Sequence, residues 1–147
     1  MGLQAAFDAA RSLAERNVAG QFATPPALAR SIAREARRLL GAEEVRFGEP
    51  SVGSGAFFSA LLSQGPAPVT AWGVERDVGL ASACRELWGD QLEVVTGDFT
   101  EQGELSANLI LANPPYVRHH HLTREDKARL RACVRARCGV AVDGRSG

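Results

Sequence analysis

Apolar positions along this chain come in short bursts whose spacing changes from one end to the other. Through Ala5–Ala14 they recur at helical intervals, predicting a first helix. A second is predicted over Pro25–Leu40, where Thr24 supplies an N-cap hydroxyl, proline sits in the first turn and Gly41 ends the run. In that helix Leu28, Ile32 and Leu39 fall on one face, and Arg30, Arg34 and Arg37 on the opposite one. Then the period shortens. Four apolar or β-rich runs follow: Val45–Gly48, Val69–Val74, Leu92–Thr96 and Ala107–Ala112. Helix-compatible stretches, Ala56–Ser63 and Val78–Trp88, separate the first three. Strands alternating with helices make a largely parallel sheet, so the expected fold is doubly wound α/β with N-terminal helices. Thr123–Arg137 is helical again, with Leu130 and Val134 apolar among arginines, and Val140–Gly147 reads as a closing turn.

A chain of 147 residues, 45% hydrophobic, is long enough for one domain with a core of its own. No apolar stretch approaches the roughly 20 residues that span a bilayer, and the first residues lack the basic start and apolar centre of a signal peptide. The expected setting is therefore cytoplasmic, without a membrane partner. Cys84, Cys133 and Cys138 show no CxxC spacing, which points to reduced thiols rather than a disulfide framework or a zinc site. Net charge is zero, against generic binding of polyanions, but the charge is unevenly spread. Between Gly41 and Ile110 three arginines face eleven carboxylates, whereas Arg118–Arg137 holds seven basic residues and two acidic ones.

Chemistry concentrates where strands end. The first strand runs into Glu49-Pro-Ser-Val-Gly53-Ser-Gly55, a glycine turn that opens a helix. Gly53 and Gly55 can adopt backbone angles closed to other residues and let a ligand approach the main chain, while a helix start offers unpaired N–H groups. Twenty residues past Gly55, Glu75 ends the second strand, where nucleotide-binding sheets place a carboxylate for ribose hydroxyls. Asp98 follows the third strand beside an aromatic ring, Phe99. Without a Walker motif or a full GxGxxG, the expected ligand is nucleoside-like rather than a nucleoside triphosphate or dinucleotide.

Asn113-Pro114-Pro115-Tyr116 stands at the end of the fourth strand, on the same rim. Proline fixes its own φ, has no N–H, and drives the preceding residue toward extended geometry, so the carbonyls of Asn113 and Pro114 can be held rigidly. The Asn113 amide oxygen and a main-chain carbonyl suit the two hydrogens of an exocyclic amino group, and Tyr116 offers a face for a base to stack on.

In the order GQFATPPALA, EPSVGSGAFF, GVERD, GDFT, NPPY, residues 20–116 resemble the S-adenosylmethionine-dependent DNA adenine-N6 methyltransferases of restriction-modification systems. The resemblance is to the subgroup whose cofactor lid precedes the glycine motif, and it implies a Rossmann-like methyltransferase sheet. It implies that Phe22, Thr24 and Pro25 close over the methionine part of S-adenosylmethionine, and that Glu49, Gly53 and Gly55 line its amino-acid end. It further implies that Glu75 binds the ribose, that Asp98 and Phe99 bind the adenine ring, and that Asn113, Pro114, Pro115 and Tyr116 are the catalytic group. The target adenine would be flipped from the duplex and its amino nitrogen would attack the sulfonium methyl directly.

Members of that family continue well past this point, with further strands and a DNA-reading region. The expectation is a partial methyltransferase domain: residues 1–40 a helical lid, 41–117 the cofactor-binding core, 118–147 a basic loop and helix, with the sheet truncated after about four strands. DNA would be engaged through the complete enzyme, a C-terminal half or partner chain would cover the exposed strand, and the isolated chain would self-associate. His119, His120 and His121 lie in extended chain and cannot all face one metal, so no metal is expected. Two other readings stand beside this one: methylation of a glutamine amide in release factors, which also uses NPPY, and a non-catalytic S-adenosylmethionine-binding module.

Overall fold

Four strands and four α-helices make up the described residues, 24–115 and 122–142, of the computed structural model. In chain order they are α1 (Pro26–Leu40), β1 (Arg46–Glu49), α2 (Ala56–Leu62), β2 (Thr70–Glu75), α3 (Val78–Trp88), β3 (Glu93–Thr96), β4 (Leu109–Ile110) and α4 (Arg124–Cys138). Phe22, Tyr116, the three histidines and the Ala5–Ala14 helix lie outside the described residues.

All strand pairs are parallel and the order is β3-β2-β1-β4. The chain steps outward from β1 to β3 through α2 and α3, then returns to lay β4 on the other side of β1. That reversal at β1 is the switch point of a doubly wound sheet, the place beyond the strand C-termini where such sheets bind ligands. Among the described residues no helix is long and apolar enough to cross a membrane.

Successive strand residues face opposite sides, and parallel registers keep neighbours on the same side. Phe47 and Ala71 are paired, as are Gly73 and Val94, and this face meets the helices. The buried cluster joins Phe47 and Val94 to Ala29 and Ala33 of α1, Phe57, Phe58 and Leu61 of α2, and Ala81 and Cys84 of α3. The Phe58 ring stacks on Phe47 at 6.0 Å and meets Trp88 edge-on at 5.1 Å. Opposite, Trp72 of β2 lies over Gly48 of β1, where a methyl would come within 2.7 Å of its Cε2. Its Nε1 donates to the Ser106 carbonyl at 3.0 Å, and Phe99 stacks on it with centroids 6.1 Å apart.

Helix α3 has the expected bounds: Asp77 accepts from the Leu80 amide at its start, and Gly89 turns the chain out with φ 52°. Three expectations are corrected. Helix α1 begins one residue late, with Pro25 at the cap and no side chain capping it, so Thr24 is not its N-cap. Its buried stripe is Ala29 and Ala33 flanked by Ile32 and Leu40, while Leu28 and Leu39 are exposed, because small side chains let α1 lie close on α2. Of its arginines, Arg37 reaches back to the Pro66 carbonyl. Strand β4 is shorter than Ala107–Ala112 because the Asn108 side chain substitutes for ladder bonds, accepting from the Arg46 amide and donating to the Glu44 carbonyl, both at 2.8 Å. Its outer edge has no strand partner among the described residues, and Ile110 is 54% exposed.

Candidate functional site

Glu49 ends β1, and the chain then turns through Gly53 (φ 54°) and Gly55 (φ 77°) into α2. Left-handed angles are needed there because the Gly55 amide folds back onto the Val52 carbonyl at 2.8 Å while the Val52 amide donates to the Val74 carbonyl at 2.9 Å. From behind, Nε1 of Trp88 donates to the Ser54 carbonyl at 3.0 Å. Glu75, buried at the end of β2, binds the turn to the next helix: Oε2 accepts from the Gly53 amide at 3.0 Å and Oε1 from the Asp77 amide at 2.9 Å. Each of these oxygens retains a second lone pair for a hydroxyl donor.

Glu49 is the more unusual carboxylate. It is 2% exposed, burial pushes its pKa well above the ordinary carboxylate value, and the Phe58 and Phe57 amides in the first turn of α2 only partly oppose that rise. Its Oε2 has no hydrogen-bond partner, and neither has the buried Ser51 hydroxyl two residues on. Orphaned buried acceptors are uncommon, and here they sit at the end of β1 beside the switch point, where an incoming amino group would satisfy them. The expectation of free N–H groups at this helix start is therefore corrected: Gly53 and Gly55 are paired, and the Phe57 and Phe58 amides face Glu49. Little remains to cradle a phosphate. Behind the turn, burial together with the Glu49 and Glu75 charges pushes the Cys84 thiol up to about 12, so that thiol is inert.

Asp98 lies two residues beyond β3. Burial acts to raise its carboxyl, but the Thr100 hydroxyl and amide (2.7 and 2.9 Å to Oδ1), helped by the Arg76 and Arg129 charges, hold it below the usual value. Arg76 and Arg129 stand 3.8 and 3.7 Å from Oδ2. Phe99, the next residue, keeps 37% of its surface exposed while stacked on Trp72, and so presents a supported ring at the rim.

Past β4, Asn113 is half-buried and its Nδ2 donates to the Thr24 hydroxyl at 3.2 Å. The lid residue and the clamp residue thus meet across most of the chain. Pro25, Pro114 and Pro115 are exposed beside them. Glu49, Glu75, Asp98 and Asn113 follow the C-terminal ends of four parallel strands, so the predicted residues within the described segments share one rim. Sequence reasoning missed the residues that shape this rim from behind, Trp72, Trp88 and Ser51. The available signals were Gly48 within β1, approached by Trp72, and Gly55 in the turn, approached by Trp88; nothing comparable marks Ser51.

The sequence matches no protein-family model. Among solved structures it is similar to a candidate RNA methyltransferase from Pyrococcus horikoshii, with TM-score 0.57 and 21% identity over 75% of this chain and 55% of that one. It is also similar to an amino pentose methyltransferase of calicheamicin biosynthesis from Micromonospora echinaspora, solved with S-adenosylmethionine bound (TM-score 0.53, 16% identity, 90% of this chain, 52% of that one). A glycopeptide N-methyltransferase gives TM-score 0.50 at 20% identity over 74% of this chain and 48% of its own. The chain spans about half the length of these structures. At such identities the likeness is one of fold: the sheet and its helices have the Rossmann-like architecture of S-adenosylmethionine-dependent methyltransferases.

Proposed function

We propose that this chain is the cofactor-binding part of an S-adenosylmethionine-dependent methyltransferase that modifies the exocyclic N6 amino group of adenine in DNA. The observation that carries the cofactor reading is the character of the rim: carboxylates at three strand ends, an orphaned Glu49 oxygen, and a glycine turn whose amides are already engaged. Such a surface rejects phosphate and favours a cationic, donor-rich nucleoside. When bound, the cofactor supplies an electrophilic sulfonium methyl group.

The chain's own residues divide the remaining work. Glu49 and the Ser51 hydroxyl receive the ammonium end, and the second lone pairs of Glu75 receive ribose hydroxyls. Asp98 and Phe99 hold the adenine ring of the cofactor, one by hydrogen bonding and one by contact. Asn113 and the Pro114 carbonyl accept from the target amino group, and Tyr116 stacks on the target base. Holding that nitrogen in line with the methyl group is the principal contribution to rate, and neutral acceptors suffice because the donor is already cationic.

Titration calorimetry tests the cofactor half. Heat is expected with S-adenosylmethionine or its demethylated product, and no heat from the folded chain at about millimolar ligand, near the −4 kcal/mol limit of useful affinity, overturns it. Radiolabelled methyl transfer to unmethylated duplex DNA by an enzyme containing this chain tests the substrate. Asn113→Ala is expected to lower transfer by about 10²-fold or more, the scale for one lost acceptor or donor at a reacting centre. Transfer to a glutamine-containing peptide in place of DNA would reassign the acceptor.

A further inference from the structure

Helix α4 has two unlike faces. One is docked on the turn after β3: Arg129 pairs with Glu101 at 2.8 Å and approaches Asp98, the Cys133 thiol donates to the Thr100 carbonyl at 3.1 Å, and Arg137 donates to the Gln102 carbonyl. On the opposite side Arg124, Lys127, Arg131 and Arg135 recur at intervals of three, four and four residues. At 3.6 residues per turn they fall within an arc of about 80°, centred away from the docked residues, in a row about 16 Å long. The three arginines are exposed, Lys127 is half-buried, and among the described residues none of the four has an ion-pair partner.

We infer that this row is a contact surface for the phosphate backbone of duplex DNA. Arg129 fixes the helix beside Asp98 and Glu101, at the β3 side of the rim, so a duplex lying along the row would be held at the same end of the sheet that carries Asn113 beyond β4. Of the other residues only Cys138 falls within that arc, with Ala128 on one flank and the half-buried Val134 on the other, and the helix has no aromatic side chain. Single strands are held largely by aromatic stacking and membranes by exposed apolar side chains that insert; the helix has no aromatic residue, and its large aliphatics Leu130 and Val134 are half-buried. A row of cations with no ion-pair partner among the described residues suits a rigid, regularly charged backbone. Phosphate contacts of this kind set position and register and carry no sequence information, which leaves sequence choice to other surfaces. The inference rests on DNA being the substrate, and adds where and how the chain touches it.

Fluorescence anisotropy of a labelled duplex of about 20 base pairs, read across salt concentrations, tests it. Neutralising four phosphates predicts a slope of log K against log salt of about −3.6, at about −0.9 per contact. Each single change to glutamine, a comparably good helix former, should make the slope shallower by about 0.9. The combination Arg124→Gln, Lys127→Gln, Arg131→Gln, Arg135→Gln should abolish the salt-dependent binding while circular dichroism and calorimetric binding of S-adenosylmethionine stay unchanged. A folded quadruple variant that binds duplex DNA with the original slope overturns the inference, and so does wild-type preference for single strands or phosphatidylserine vesicles over duplex. A wild-type chain that binds duplex DNA with the expected slope but shows no cofactor binding would instead sink the methyltransferase reading and leave this surface standing.

Discussion

Replacing Gly55 by alanine separates two costs that the glycine turn imposes. The first is conformational: φ is 77° and ψ 39°, a left-handed residue, which costs about 1–2 kcal/mol with a Cβ, less about 0.4–1 kcal/mol recovered by stiffening the unfolded chain. The second is steric. The new methyl would lie 3.0 Å from Cε2 of Trp88 and closer still to Nε1, and the indole cannot swing away without losing its bond to the Ser54 carbonyl and its edge contact with Phe58. Overpacking of that kind costs about 1–3 kcal/mol. The expected loss is about 2–4 kcal/mol, a large part of the 5–15 kcal/mol of a typical domain. Gly139→Ala is the control, since that residue is also left-handed (φ 66°, ψ 5°) but has nothing within 4 Å, so only the first cost of about 1 kcal/mol applies. Urea unfolding followed by circular dichroism measures both, and Trp88→Phe in each background closes a double-mutant cycle that should recover most of the steric part. If Gly55→Ala and Gly139→Ala differ by less than about 0.5 kcal/mol, the ordinary scatter of independent sites, the indole does not confine the turn and the account given above is wrong.

Glu49 gives a pH prediction. Its folded pKa is raised above the ordinary 4.5, so its contribution to stability is full below about pH 4.5 and is lost as pH rises through the folded value. Glu49→Gln should therefore flatten the fall of the thermal midpoint above pH 4.5 relative to the original chain and weaken cofactor binding; parallel midpoint curves for the two proteins would contradict the buried carboxylate's role. The open outer edge of β4 should recruit a second copy, giving dimers by sedimentation equilibrium at about tens of micromolar, and Ile110→Lys, a charge of the kind that protects natural sheet edges, should restore monomers. A wild-type chain that stays monomeric there would show that β4 needs no neighbour.

How far the sequence could be read depended on whether a feature was local. Val78–Trp88 was legible to the residue because Asp77 and Gly89 punctuate it chemically at both ends. The strand-end carboxylates were legible because spacing alone puts Glu49, Glu75 and Asp98 on one rim. The buried face of α1 was not, since Ala29 and Ala33 win over Leu28 and Leu39 only through the close approach of α2, a tertiary fact. Thr24 looked like a cap, and its engagement with Asn113 depends on a fold that brings opposite ends of the described chain together. Nor could spacing reveal that Glu75 spends a lone pair on each of two backbone amides, or that Arg129 would come to lie beside Asp98.

The chain has two tryptophans, and they contact different parts of the candidate site. Trp88 touches the glycine turn through Ser54, whereas Trp72 lies under Phe99, the ring expected against adenine. Indole emission responds to the polarity and hydrogen bonding of its immediate surroundings, so under the proposed binding mode each tryptophan would report on a different half of the cofactor. With Trp72→Phe the remaining signal comes from the amino-acid end, and with Trp88→Phe from the base end. Stopped-flow mixing of the two variants with S-adenosylmethionine would then reveal which end of the ligand docks first, without any label attached to protein or cofactor.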